Sequence, residues 1–144
     1  MKRLAGERGN ALIETALTLP LVLLVSVSIF EFGRAFQTWE VLTNAAREGA
    51  RVAVLPGTTA ADVQNRVAAY LASGQLDNAA NATVVVDQNA AVSIGAATTA
   101  ASLVTVNYPF TFIVLQPVAQ LVVKGATLGA PFTMVASAEM RNEQ

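Results

Sequence analysis

The stretch that decides the fold runs from Gly9 to Phe36, GNALIETALTLPLVLLVSVSIFEFGRAF. Between Ala11 and Phe30 lie twenty residues whose only charge is Glu14. At about 1.5 Å rise per residue, this is the length an α-helix needs to cross the hydrocarbon of a bilayer. Ahead of it stand Lys2, Arg3 and Arg8 against a single acid, Glu7. Positive charge is retained on the cytoplasmic side, so the expected span has its amino end inside and its carboxyl end across the membrane. Glu14 is the feature a plain anchor does not require. A carboxylate near the membrane core costs about 3 kcal/mol unless it is neutralised or paired. Two readings follow from the residues alone: an acid solvated at headgroup level, or an acid kept for a partner.

Gly9 closes the basic leader, and Asn10, Ala11, Leu12 and Ile13 separate it from Glu14, which is therefore the fifth residue after the glycine. That arrangement resembles a type IV prepilin processing site, at which a membrane peptidase cuts after the glycine. Glycine suits such a position because a backbone without Cβ can lie extended in a protease cleft. The similarity continues through ALTLPLVLLVSVSIFEFGRAF (16–36), LTNAAREGARVAV (42–54) and TMVASAEMRNE (133–143). Together these segments resemble a TadE-like pseudopilin of the tight-adherence (Tad) class of type IV pilus systems; the middle, Gln75 to Ser102, lies outside the resemblance.

The resemblance carries a set of expectations. It implies processing between Gly9 and Asn10 by a prepilin peptidase. It also implies an assembly role for Glu14, whose carboxylate would pair with the new α-amine of a neighbouring subunit. Small Tad major pilins usually carry tyrosine directly after the acid; Thr15 stands there here, which implies an accessory subunit. The implied function is that of a minor pilin-like subunit needed for assembly of a Tad-type pilus and involved in surface adherence. The implied partners are the major pilin and other pseudopilins, the inner-membrane assembly platform and membrane lipid. The implied location is the bacterial inner membrane, with the carboxyl-terminal domain extracytoplasmic and the subunit incorporated in a surface pilus. The expected divisions are a leader at 1–9, a transmembrane and assembly helix at 10–33, and an extracytoplasmic α+β domain at 34–144.

Composition narrows the competing classes. The chain of 144 residues is 53% apolar and only 13% charged, with a formal charge of −1. No basic footprint for nucleic acid is present. Cysteine and histidine are both absent, which excludes disulfides, Cys/His zinc sites, thiol nucleophiles and histidine-based acid–base catalysis. With no G-x-S-x-G elbow, P-loop or HExxH motif either, neither an enzyme nor a cofactor or metal site is expected. The chief alternative is a single-pass, membrane-anchored extracytoplasmic binding module that is never cut at Gly9. Release by ordinary signal peptidase is disfavoured, because the apolar run passes into helical periodicity without an A-x-A site.

Beyond the span, Phe32, Phe36, Trp39, Leu42, Ala46, Gly49 and Ala53 recur at three- and four-residue intervals. One helix is expected from about Asn10 to Val54, kinked or loosened at Pro20 and laying that stripe on the following domain. The aromatic residues Phe30, Phe32, Phe36 and Trp39 suit either a membrane-interface belt or core packing. Arg47, Glu48 and Arg51 read physically as a solvated helix face stabilised by short-range ion pairs; the family resemblance adds possible contacts with other subunits. A second helix is expected over Ala60–Ser73, opened by Thr58, Thr59 and Asp62 and stopped by Gly74, with Val63, Val67, Tyr70 and Leu71 on one face. Asp77, Asn78 and Asn81 offer turn chemistry in preference to a calcium site. Period-two patterning then predicts strands at Thr83–Asp87, Ala91–Ile94, Ser102–Tyr108 and Phe132–Met140, the first two joined by Gln88-Asn89-Ala90. The sheet is expected to be antiparallel and covered on one face by helices. The apolar segment Phe110–Val123 is too short for a second span, and is expected as a buried loop, a short helix or a contact surface.

Overall fold

A computed structural model of the protein describes residues 3–94 and 97–142. The elements in order are α1 (Arg3–Ala53), α2 (Ala60–Ser73), β1 (Thr83–Ile94), β2 (Ala97–Phe110), α3 (Leu115–Val122) and β3 (Phe132–Arg141), with a single 3-10 turn at Ala79–Asn81 before β1. The strands form an antiparallel sheet in the order β1-β2-β3. This is the expected α+β, pilin-like arrangement: a long amino-terminal helix, a second helix and a small antiparallel sheet.

The chain divides into two compact units. One comprises residues 1–34 and 111–131; the other comprises 35–110 and 132–144. In the second unit most of the side chains that α1 buries are alanines. Leu42, Ala45, Ala46, Ala50 and Ala53 from α1 are buried, as are Val63, Val67 and Leu71 from α2, Val104, Val106, Tyr108 and Phe110 from β2, and Met134 and Ala136 from β3. Gly49 sets the closeness of the packing. A Cβ placed there would lie 2.6 Å from Val67 Cγ2 and 3.1 Å from Val104 Cγ1, against the 3.5–4.0 Å of an ordinary carbon contact.

Helix α2 occupies the expected span. Thr59 is its N-cap, and a capping box joins the two residues reciprocally: the Thr59 hydroxyl accepts from the Asp62 amide at 3.3 Å while Asp62 Oδ2 accepts from the Thr59 amide at 2.9 Å. Its valines and leucine recur at four-residue spacing and are buried, as the periodicity predicts. The Asn78 amide donates to Tyr108 Oη at 3.2 Å and its side chain donates to the Pro109 carbonyl at 3.3 Å, so this part of the loop is tied to β2.

Helix α1 runs as one element with Pro20 inside it, as expected. Three expectations are corrected in detail. Helix α1 begins at Arg3, within the expected leader, because Arg, Leu, Ala and Glu are good helix formers and extending an existing helix costs little. The apolar stripe is narrower than expected: Phe32, Phe36 and Trp39 are exposed, and Thr38 is buried instead. Spacings of seven, four and three residues link Thr38, Leu42, Ala45 and Gly49 into the face that packs. Finally, β1 is one strand, not two. Its register to β2 shifts between Asp87 and Ala90, where Asp87 Oδ1 accepts from the Asn89 amide at 2.9 Å. The bulge has a structural use, because Gln88 Nε2 donates to the Ala53 and Thr58 carbonyls at 3.2 and 3.0 Å. It thereby satisfies a carbonyl that the end of α1 leaves without a helical partner.

The segment after Phe110 becomes a short helix, α3, whose Leu115, Val118 and Ala119 are buried. Gly129 has a positive φ of 80°, and a Cβ there would lie 2.7 Å from the Gln116 backbone nitrogen. Only glycine fits that approach.

Candidate functional site

The candidate site is the amino-terminal helix and the residues that hold its far end. From Leu12 to Phe30 most of its large side chains are open: Leu12, Ile13, Leu17, Leu19, Leu21, Val22, Leu23, Val25, Ile29 and Phe30 are all about half to three-quarters exposed. Among the described residues one helix is long and apolar enough to cross a membrane, and none of its most apolar window is buried. The hydroxyls within it donate back to their own helix. Thr15 donates to the Ala11 carbonyl at 2.8 Å, Thr18 to Glu14 at 3.0 Å, Ser26 to Val22 at 2.9 Å and Ser28 to Leu24 at 2.7 Å. No hydroxyl need present an unmet donor to an apolar surrounding.

Gly9, Asn10 and Glu14 all lie on α1. Asn10 and Glu14 are exposed, and among the described residues the Glu14 carboxylate has no ion-pair partner. A Cβ added at Gly9 meets nothing within 4 Å. The glycine is therefore not required there by packing.

The sequence patterns do not single out Glu31, yet among the described residues it is the charged one that is buried. It is fully buried. Its Oε1 accepts from the Ile113 and Val114 amides at 2.8 and 2.6 Å, and its Oε2 accepts from Arg34 Nη2 at 3.1 Å. The same Arg34 nitrogen donates to the Thr111 carbonyl. Phe32 and Phe112 meet edge to face with ring centroids 5.9 Å apart. A carboxylate directly after an apolar span, three residues before an arginine, was the available signal. Nothing in the sequence pairs it with backbone amides more than eighty residues away.

Of the possible contact residues, Glu48 and Arg51 are engaged within the chain, joined by Arg66 from α2. Arg51 Nε and Nη2 lie 2.9 and 2.7 Å from the two Glu48 carboxylate oxygens, while Arg66 Nε and Nη2 both reach Glu48 Oε1, at 2.9 and 2.7 Å. The two guanidinium groups hold the Glu48 carboxyl at a pKa of about 2, Arg51 contributing most. Arg47 is exposed on the same helix. The Thr59 hydroxyl and amide likewise pull Asp62 below its usual range.

Fold and helix together define a class: an α+β, pilin-like protein with one long apolar amino-terminal helix. Residues 9–51 match the family model described as TadE-like protein. This family is associated with Tad pilus biogenesis. The match opens at Gly9 and closes at Arg51, so the TMVASAEMRNE segment lies outside it. No curated protein and no solved structure matches the chain.

Proposed function

We propose that this chain is a minor, pilin-like subunit of a Tad-type pilus, cut after Gly9 and assembled through its amino-terminal helix. The observation that carries the proposal is the uncovered apolar face of α1, with one acid, Glu14, near its start, inside the segment that matches the TadE-like family. An exposed apolar surface of this length has to be covered by lipid or by other helices. In the membrane the helix is a single span, amino end cytoplasmic and the remaining domain extracytoplasmic; in an assembly the same face packs against pilin helices.

Glu14 then pairs with the α-amine that cleavage creates at Asn10 of a neighbour. The peptidase, the major pilin, other pseudopilins and the inner-membrane platform are the partners this reading requires. Arg47, exposed on the continuing helix, is available to a further subunit, whereas Glu48 and Arg51 already bind within the chain. For cleavage, the helical turn through Gly9 has to open, a step that glycine eases because it is about 1 kcal/mol less favourable than alanine in a helix.

Amino-terminal sequencing of the protein isolated from bacterial membranes tests the proposal. Asn10 as first residue is expected. An intact Met1 would overturn processing and favour the uncut, anchored binding module.

A further inference from the structure

The segment 111–131 is unusual for a surface loop. Ile113, Val114, Leu121, Val123 and Leu128 are all exposed, and Leu121, at 82%, is the most exposed large apolar side chain among the described residues. Helix α3 nevertheless has a packed face of its own in Leu115, Val118 and Ala119. Its outward side carries Leu121 beside Gln116, Pro117 and Gln120, and the other exposed apolar residues flank the helix, with Lys124 two residues past its end.

Glu31 fixes where this segment sits. By accepting from the Ile113 and Val114 amides, it holds the start of the segment beside residue 31, one residue after the apolar run that ends at Phe30. The Arg34 bond to the Thr111 carbonyl and the Phe32–Phe112 ring contact hold the same junction. All of these contacts lie within one compact unit.

We propose that 111–131 is a second membrane contact, lying in the outer interface of the same bilayer that α1 crosses, with Ile113, Leu121 and Val123 among the acyl chains and Lys124 at the phospholipid headgroups. The occupant is lipid because the carboxylate clamp holds Ile113 and Val114 beside Glu31, directly after the lipid-facing run, and so sets this exposed apolar segment at the level where that span ends. Interfacial elements of this kind bury an apolar face about 5–10 Å into the headgroup and acyl boundary. The proposal rests on α1 being a membrane span, though not on processing at Gly9.

The test is spin-label accessibility in the full-length protein, reconstituted in nanodiscs of phosphatidylcholine and phosphatidylglycerol. The chain has no cysteine, so Leu121→Cys, Leu21→Cys and Val85→Cys each give a single labelled site. All three positions are exposed, so labelling does not disturb packing. The label at 121 is expected to favour oxygen over a water-soluble nickel chelate, as the label at 21 does, while the label at 85 shows the reverse. A water-like ratio at 121 beside a lipid-like ratio at 21 overturns the proposal. A water-like ratio at both means that the span reading has failed. Shielding of 121 from both reagents, with broadening between labels that vanishes on dilution with unlabelled protein, overturns the lipid assignment in favour of a second copy. Adding Glu31→Ala is expected to abolish the oxygen preference at 121 and leave 21 unchanged; an unaltered ratio at 121 would overturn the role of the clamp.

Discussion

Gly49→Ala should destabilise the protein although alanine is the better helix former. In an exposed helix interior the exchange gains about 1 kcal/mol. At position 49 the new methyl would stand 2.6 Å from Val67 Cγ2 and 3.1 Å from Val104 Cγ1, about 1 Å inside ordinary contact with the first. Val67 is fully buried, and a β-branched side chain in a helix has essentially one χ1 rotamer, so it cannot swing aside. Overpacking of this kind costs about 1–3 kcal/mol. Taking about 2 kcal/mol against the gain of about 1 leaves a net loss of about 1 kcal/mol, or roughly 4–8 °C in Tm for a domain of this size. Thermal unfolding of the full-length protein in detergent, followed by near-ultraviolet circular dichroism of the buried Tyr108, reads this directly. The decisive variant is Val67→Ala, which removes the obstructing methyls. In that background Gly49→Ala should stabilise by up to about 1 kcal/mol, a reversal of sign that only a local clash produces. If Gly49→Ala raises Tm in the native background, or if Val67→Ala leaves its effect unchanged, the close-packing argument is wrong.

The Glu48 cluster should make stability fall in acid. Its folded pKa is about 2 against an ordinary 4.5, so its contribution is complete above the unfolded value and is lost as pH falls from 4.5 toward 2. Arg51 and Arg66 are more than half exposed, which screens the interaction to about 1 kcal/mol; Glu48→Gln should lose that amount at pH 7 and show a loss on acidification smaller than wild type's by the same amount in urea titrations. Thr59→Ala should cost about 1 kcal/mol by removing the α2 cap, seen as a lower urea midpoint. Gly9→Val should stop processing without unfolding the protein, because a side chain there meets no neighbour; a mature mass identical to wild type would refute it. Glu14→Gln should be cleaved normally and yet fail to co-isolate with pilus components, since a buried ammonium left without its partner costs several kcal/mol. Wild-type recovery of that variant would make Glu14 a solvated headgroup-level acid.

Local chemistry made much of this protein legible from its sequence. The length and apolarity of Ala11–Phe30 announce one long apolar helix, the Thr59–Asp62 pair and Gly74 bound α2, and the alternation from Phe132 to Met140 describes a strand with one packed face. Each of these signals is complete within a few residues, because helix periodicity, capping and pleat are properties of neighbouring positions. What distant residues decide was not legible in this way. Phe36 and Trp39 share the helical spacing of Leu42, yet the packed face is the one whose glycine and alanines let Val67 and Val104 approach. Gln88 reads as a linker between two strands until the end of α1 supplies a carbonyl for it to satisfy. Glu31 reads as a stray charge after an apolar run, and only the fold brings the Ile113 and Val114 amides to it. The ion pair from Glu48 to Arg51 follows from spacing on one helix, while the pair to Arg66 exists only because α2 packs beside α1. Periodicity can say that a face is apolar or that a charge is available; the backbone path through the folded chain determines what meets it.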